Sequence, residues 1–198
     1  MDIVYAYRYD GSDMELRYSL RSLKNIEHDK IYIVSNTTPS WATNIRRIML
    51  SDTSQNKQIN VIRKLIEVCK LDYISENFIY MNDDFFFLER QEIKQYNLGL
   101  LKDRVLTAKG DYQLALQNTV DLLGENCLNF EIHYPMIINK KAFLEAMLKT
   151  PCLRKPLAYR SIYGNRKIKN SEFIEEDFKL YKHKDFETFL KSPKNFIS

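Results

Sequence analysis

Two adjacent acids, Asp83 and Asp84, stand between two apolar runs, Phe78-Ile79-Tyr80-Met81 before Asn82 and Phe85-Phe86-Phe87 after. Carboxylates beside a core need a compensating cation, from the protein or from a metal. An acidic pair at the end of a buried strand is therefore a candidate site for Mg or Mn. Such hard cations take oxygen ligands, and need few from the protein when a diphosphate supplies the rest. The ion then offsets charge on a leaving phosphate. The competing structural role is a turn cap that accepts backbone N–H groups.

His133 comes next, in Phe130-Glu131-Ile132-His133-Tyr134-Pro135. A neutral imidazole can join Asp83 and Asp84 as a third metal ligand, or accept the proton of an attacking hydroxyl. In an extended segment Glu131 and His133 share one side, which makes Glu131 a further catalytic candidate. A core histidine bonded to a carbonyl would give the same pattern. Phosphate clamps are sought among the basic residues. Arg17, Arg21 and Lys24 fall at helical spacing beside Leu16, Leu20 and Leu23. Arg63 and Lys64 share the polar side of a later helix with Asn60 and Glu67. Arg160 opens a basic segment that runs to Arg166 through a flexible Gly164. Guanidinium groups match diphosphate oxygens well, although each stretch alone would also suit a solvated face. No phosphate-cradling glycine loop and no Gly-x-Ser-x-Gly elbow is present.

The elements that must position these groups alternate in type. Asp2 to Tyr9 reads as a strand, followed by the turn Asp10-Gly11-Ser12-Asp13, where Ser12 or Asp13 can cap a helix from Met14 to Asn25. Ile31 to Val34 is a second strand, and a weak one lies near Ile48 to Leu50. Lys57 to Lys70 carries the helical stripe Ile59, Ile62, Ile66 and Cys69. Phe78 to Met81 is the central strand, Asp111 to Leu123 and Lys140 to Lys149 are helices, and Phe130 to Ile138 reads as extended. Such alternation predicts an α/β fold with a mostly parallel, Rossmann-like central sheet and helices on both faces. Ligands of open sheets bind beyond the carboxyl ends of the strands. Asp10 and the acidic pair both lie at such ends, which places Asp10 among the donor-binding candidates.

The 198 residues suit one domain, and 44% hydrophobic content argues against global disorder. No apolar run approaches the roughly 20 residues of a spanning helix. The N-terminus has no basic region ahead of an apolar one, and the three cysteines are odd in number and far apart. Both point to a cytoplasmic protein without a disulfide framework. The net charge of +4, with its surplus late in the chain, suits a phosphorylated substrate, nucleic acid or plain solubility. The 13 Tyr and 11 Phe are interleaved with aliphatics at core-like spacing rather than arranged for base stacking.

Three blocks resemble the core of the Stealth family. They are Glu15-Leu16-Arg17-Tyr18-Ser19-Leu20-Arg21-Ser22-Leu23, then Ile31-Tyr32-Ile33-Val34-Ser35-Asn36 with Pro39-Ser40-Trp41, then Phe78 to Phe87 with Asp83-Asp84. That family contains capsular polysaccharide phosphotransferases and the catalytic part of the lysosomal-enzyme GlcNAc-1-phosphotransferase. The match covers about the first half of the chain, in the family's order. Glu131-Ile132-His133-Tyr134-Pro135 is similar to the family's later His-Pro block, while Asn56 to Lys64 departs from its pattern. The resemblance implies a GT-A-like sugar-nucleotide transferase with a divalent metal. It implies that Asp83 and Asp84 take the metal and diphosphate position, with Arg17 and Arg21 on the active-site side of the first helix.

The expected activity is metal-dependent glycosyl transfer from a UDP- or GDP-sugar to a hydroxyl acceptor such as a glycan. Residues 1–90 would bind the donor and 91–198 the acceptor. Alternatives are hexose-1-phosphate transfer, glycosylation of a hydroxymethylated DNA base, and a non-catalytic sugar-nucleotide-binding module.

Overall fold

A computed structural model describes residues 1–9, 11–179 and 196–197. Its centre is a five-stranded sheet in the order β3-β2-β1-β4-β7. Strands β1 (Asp2–Ala6), β2 (Ile31–Ser35), β3 (Arg46–Met49) and β4 (Asn77–Met81) run parallel, and β7 (Met136–Asn139) closes the β4 edge antiparallel. The predicted mostly parallel sheet is therefore present. Strands β1, β2 and β4 are buried on both faces, as their continuous apolar runs require.

Alternate residues serve different layers. Val4, Tyr32, Val34, Phe78 and Tyr80 face a core shared with helix α2 (Lys57–Cys69), α5 (Lys140–Leu148) and α6 (Tyr159–Lys167). Ile3, Tyr5, Ile33, Ile79 and Met81 face the opposite core, with Leu16 of helix α1 (Met14–Ser22) and Leu23 of the 3-10 turn that follows. The remaining helices α3 (Leu101–Thr107) and α4 (Gly110–Leu123) pack on each other through Leu101, Leu116 and Val120. Two-residue strands complete the fold: β5 (Phe86–Phe87) pairs with β9 (Phe196–Ile197), and β6 (Tyr96–Asn97) with β8 (Glu172–Phe173).

Caps set the register of the helices around the sheet. Asn56 accepts from the Gln58 and Ile59 amides at the start of α2, and Asn139 from Ala142 at the start of α5. At α1 Ser12 accepts from the Met14 amide at 3.3 Å. Asp13 caps nothing with its side chain, because its carboxylate takes the Tyr7 hydroxyl at 2.6 Å and the Trp41 indole N–H at 3.3 Å.

Several expectations are corrected. The first strand ends at Ala6; the Tyr7 amide still reaches Val34 O at 3.0 Å, and the Tyr7 hydroxyl meets Asp13. Of the segment 130–138 only residues 136–138 are strand, as part of Met136–Asn139. The residues before it coil instead, with Ile132 N–H reaching Phe130 O and Tyr134 N–H reaching Ile132 O. Gly164 is not a flexible joint. It lies inside α6, where a Cβ would stand 2.3 Å from the Phe130 ring, so its role is close approach. The three cysteines are free and buried, and burial pushes the Cys69 thiol up to about 12. No helix among the described residues is long and apolar enough to cross a membrane.

Candidate functional site

The sheet order reverses between β1 and β4, with β2 and β3 on one side and β7 on the other. A crevice at the carboxyl ends of these two strands is the expected ligand position of an open α/β sheet. There the structure has a cleft of about 410 Å³. Ala6 and Arg8 lie along it after β1, Asn82, Asp83 and Asp84 after β4, Asn60 and Lys64 on α2, and Tyr112 on α4. The coiled segment contributes Glu131, Ile132 and His133, and α6 contributes Tyr159 and Arg160. Of the expected site residues, Asp83, Asp84, Glu131, His133, Lys64 and Arg160 thus meet in one place.

Arg160 dominates the far wall and is 5% exposed. Its guanidinium carbon lies 5.0 Å from the centre of the Tyr80 ring and 5.6 Å from that of Phe85. Nη1 donates to the carbonyls of Ile132 at 3.1 Å and Tyr134 at 2.7 Å, so Arg160 also shapes the coiled segment. Nη2 is buried and makes no aligned hydrogen bond, while the Tyr159 hydroxyl interacts with the guanidinium. Opposite in chemistry, Asp84 Oδ1 is likewise buried without a donor. Orphan groups of this kind cost about 1–3 kcal/mol each unless a ligand satisfies them. Asp83 lines the same cleft, and its charge raises the neighbouring Tyr5 and Tyr80 hydroxyls beyond what burial already does.

Glu131 is committed to α6. Its Oε1 accepts from the Ser161 amide at 2.8 Å and hydroxyl at 3.1 Å. Burial pushes its carboxyl above the ordinary range, against the pull of Arg160 and the Ser161 bonds. Lys64, 3% exposed, is held by the Tyr7 carbonyl at 2.8 Å and by Asp52 Oδ1 at 2.7 Å. The Asp52 contact is close enough for an ion pair but is not aligned as a hydrogen bond. Lys64 therefore braces the loop after β1 while its ammonium stays at the cleft wall.

His133 is fixed by a residue that sequence reasoning missed. Asp177 accepts the His133 backbone N–H on Oδ1 at 2.8 Å, and its Oδ2 lies 2.8 Å from Nδ1 of the ring. Burial alone would raise the Asp177 carboxyl, yet the bonds from His133 hold it below the ordinary carboxylate value. With Nδ1 so engaged, Nε2 is the ring nitrogen that His133 has left for the cleft. No group of three His, Cys, Asp or Glu among the described residues is arranged to hold an ion. The two aspartates still suit a hard cation whose remaining ligands are phosphate oxygens, and the orphaned Asp84 Oδ1 is the observation that fits.

Other expected clamps lie elsewhere. Arg17 and Arg21 are exposed on α1, the first over the Trp41 ring at 5.1 Å and the second over Tyr18 at 5.8 Å. Helical spacing placed them together, and neither lines the cleft. Arg63 donates to Ser51 O and Thr53 Oγ1 and so orders the loop before α2. Asp10 lies outside the described residues. The basic surplus late in the chain is partly internal: Lys140, like Arg160, is buried, and its Nζ donates to Leu71 O and Ile74 O.

No family model matches the chain, and no curated protein matches it. Among solved structures the chain is similar to an active-site mutant of LgtC, at 15% identity over 98% of this chain and 79% of that one, with a TM-score of 0.47. It is similar to the galactosyltransferase LgtC in complex with donor and acceptor sugar analogues, at 15% identity over 71% of this chain and 58% of that one, with a TM-score of 0.40. The apo-form glycosyltransferase GlyE of Streptococcus pneumoniae TIGR4 is 12% identical over 99% of this chain and 53% of its own, with a TM-score of 0.46.

Proposed function

We propose that this chain is a GT-A-like, metal-dependent glycosyltransferase that takes a nucleotide-diphospho-sugar and a hydroxyl acceptor. The observation that carries the reading is that Asp84 and Arg160 both line the cleft at the switch point of the sheet, and that Asp84 Oδ1 and Arg160 Nη2 are each buried without an aligned hydrogen bond. One acceptor and one cationic donor left open together suit a metal-bound diphosphate. Asp83 and Asp84 would hold Mg or Mn, whose charge offsets that of the departing phosphate. Arg160 supplies a fixed cation for the diphosphate oxygens, pre-oriented by its two carbonyl contacts and the Tyr80 and Phe85 rings. Lys64 adds a second positive charge beside the β1 end. His133 takes the acceptor's proton on Nε2, the ring nitrogen that Asp177 leaves unused.

In this reaction the acceptor oxygen attacks the anomeric carbon. The carbon–oxygen bond to the nucleoside diphosphate breaks, the diphosphate leaves with the electron pair, and the acceptor proton passes to His133. Within one domain, residues 1–90 would form the donor-binding core and the later part of the chain the acceptor side, with Arg160 reaching back to the diphosphate.

The resemblance of the three N-terminal blocks to the Stealth family supports a second reading, hexose-1-phosphate transfer. There the acceptor attacks the sugar-bearing phosphorus and a nucleoside monophosphate leaves. The test is to incubate the protein with UDP- and GDP-sugars and Mn, then weigh the acceptor product. A product carrying sugar without phosphate supports glycosyl transfer, and one retaining phosphate establishes the second reading. Binding of a nucleotide sugar without turnover would instead identify a binding module.

A further inference from the structure

We propose that Asp177 is the positioning residue for His133, setting both the tautomer and the aim of its ring, and that the stretch after α6 is thereby a working part of the cleft. The inference deepens the reading of His133 as proton acceptor and rests on it for its catalytic consequence.

The geometry is a two-point lock. One carboxylate oxygen fixes the His133 backbone at 2.8 Å and the other stands 2.8 Å from Nδ1. Backbone and ring are thus held by a single planar group, which leaves the ring little rotation about its first side-chain torsion. A carboxylate accepts only, so in the neutral imidazole the proton sits on Nδ1 and the lone pair on Nε2. His133 itself is 29% exposed and lines the cleft, whereas the Asp177 side chain is 16% exposed.

The lock is anchored independently of His133. Glu172 N–H reaches Gln95 O at 2.8 Å and Ile174 N–H reaches Asn97 O at 2.9 Å, on either side of the β6–β8 pairing. Asp177 Oδ1 also accepts the Phe178 amide at 2.8 Å. The Phe178 ring packs on Tyr134 at 4.9 Å and Tyr96 at 5.6 Å. A stretch serving only to cover the core would need the Phe178 contacts; it would not need a carboxylate turned onto an imidazole in the cleft.

The decisive measurement is the tautomer of His133 by long-range proton–nitrogen NMR of histidine-labelled full chain, assigned with His133→Gln and recorded where the imidazole is neutral. The wild type should show Nδ1 protonated and Nε2 bare. Asp177→Ala should lose that preference, and Asp177→Asn should weaken or invert it. Alongside, Asp177→Asn should lower turnover about 10- to 100-fold with donor affinity within about twofold. The double variant with His133→Gln should fall no further than His133→Gln alone, because the two residues act as one unit. An unchanged tautomer in both Asp177 variants, or a multiplicative loss in the double variant, overturns the proposal. Equal losses of donor affinity and turnover would also overturn it, by showing a merely structural Asp177. A wild type that shows the locked tautomer but transfers nothing from any nucleotide sugar would refute the proposed activity and leave the positioning role standing.

Discussion

Each end of the parallel sheet carries an aspartate and a cationic side chain with buried polar atoms, and the two ends treat them in opposite ways. At the amino end Asp2 accepts the Lys30 amide at 3.0 Å and the Ser75 amide at 2.8 Å, while Lys140 donates to the Leu71 carbonyl at 2.7 Å and the Ile74 carbonyl at 3.0 Å. Asp2 ties the starts of neighbouring strands together, and Lys140 ties the end of β7 to the segment before β4. At the carboxyl end Asp84 keeps one oxygen, and Arg160 one nitrogen, buried without an aligned hydrogen bond. A folded chain normally satisfies such groups, so the contrast fits stability at the amino end and the proposed ligand recognition at the carboxyl end. Residue type alone would not separate Asp2 from Asp84; the hydrogen-bond inventory does.

The contrast breaks most visibly at Asp84. Asp84→Asn should weaken Mn-dependent binding of a UDP- or GDP-sugar by roughly 100-fold or more, on the scale of losing a preorganised electrostatic contact. Its thermal midpoint should stay at or above that of the wild type, because the charge of a half-buried carboxylate with one unsatisfied oxygen is removed. Calorimetric titration and a melting curve check both halves, and undiminished donor binding would refute the site. Asp2→Ala should do the reverse: donor binding is retained, while urea unfolding reports a loss of about 2–4 kcal/mol from two amide donors stranded together.

The same residue sharpens the comparison through pH. Burial would raise the Asp2 carboxyl, but the Ser75 and Lys30 amides outweigh it and hold it below the ordinary value. Folding therefore favours its ionised form. That contribution is complete above the unfolded value, near ~3.9, and disappears as pH falls through the lower folded value. The stability gap between wild type and Asp2→Asn should be full at neutral pH and shrink on acidification below that point. A gap independent of pH would show that Asp2 acts through packing alone.

Two smaller effects complete the series. Gly164→Ala must move the Phe130 ring out of a 2.3 Å contact, which should destabilise by about 1–3 kcal/mol in urea unfolding. Arg17→Ala and Arg21→Ala should change donor affinity by less than about twofold, since both guanidiniums lie over aromatic rings outside the cleft.

Much of this architecture was legible in the residues. Strands β1, β2 and β4 are continuous apolar runs because they are buried on both faces, and that pattern has few competing explanations. Asp83 and Asp84 stood out for the same reason, as charges in a place where burial is the rule. Glu131 and His133 do share the cleft, although through a coiled segment rather than strand alternation. What failed was azimuth and distance. Helical spacing groups Arg17 with Arg21 but does not say which way their face turns. The Arg160 segment looked like a basic loop because it mixes charge with glycine, and burial by Phe130 and Tyr80 is a tertiary fact. Asp177 lies 44 residues from His133 in a polar stretch with no periodic signal, so only the folded chain brings them together.

The sulfur chemistry of the protein has a practical side. All three thiols are shielded, and burial holds each above its usual proton affinity, so the reactive thiolate is scarce at neutral pH. Alkylating dyes should leave the native chain almost unlabelled. A single cysteine introduced at an exposed position such as Tyr9 would then react alone, giving a clean fluorescent reporter without first stripping out the natural ones.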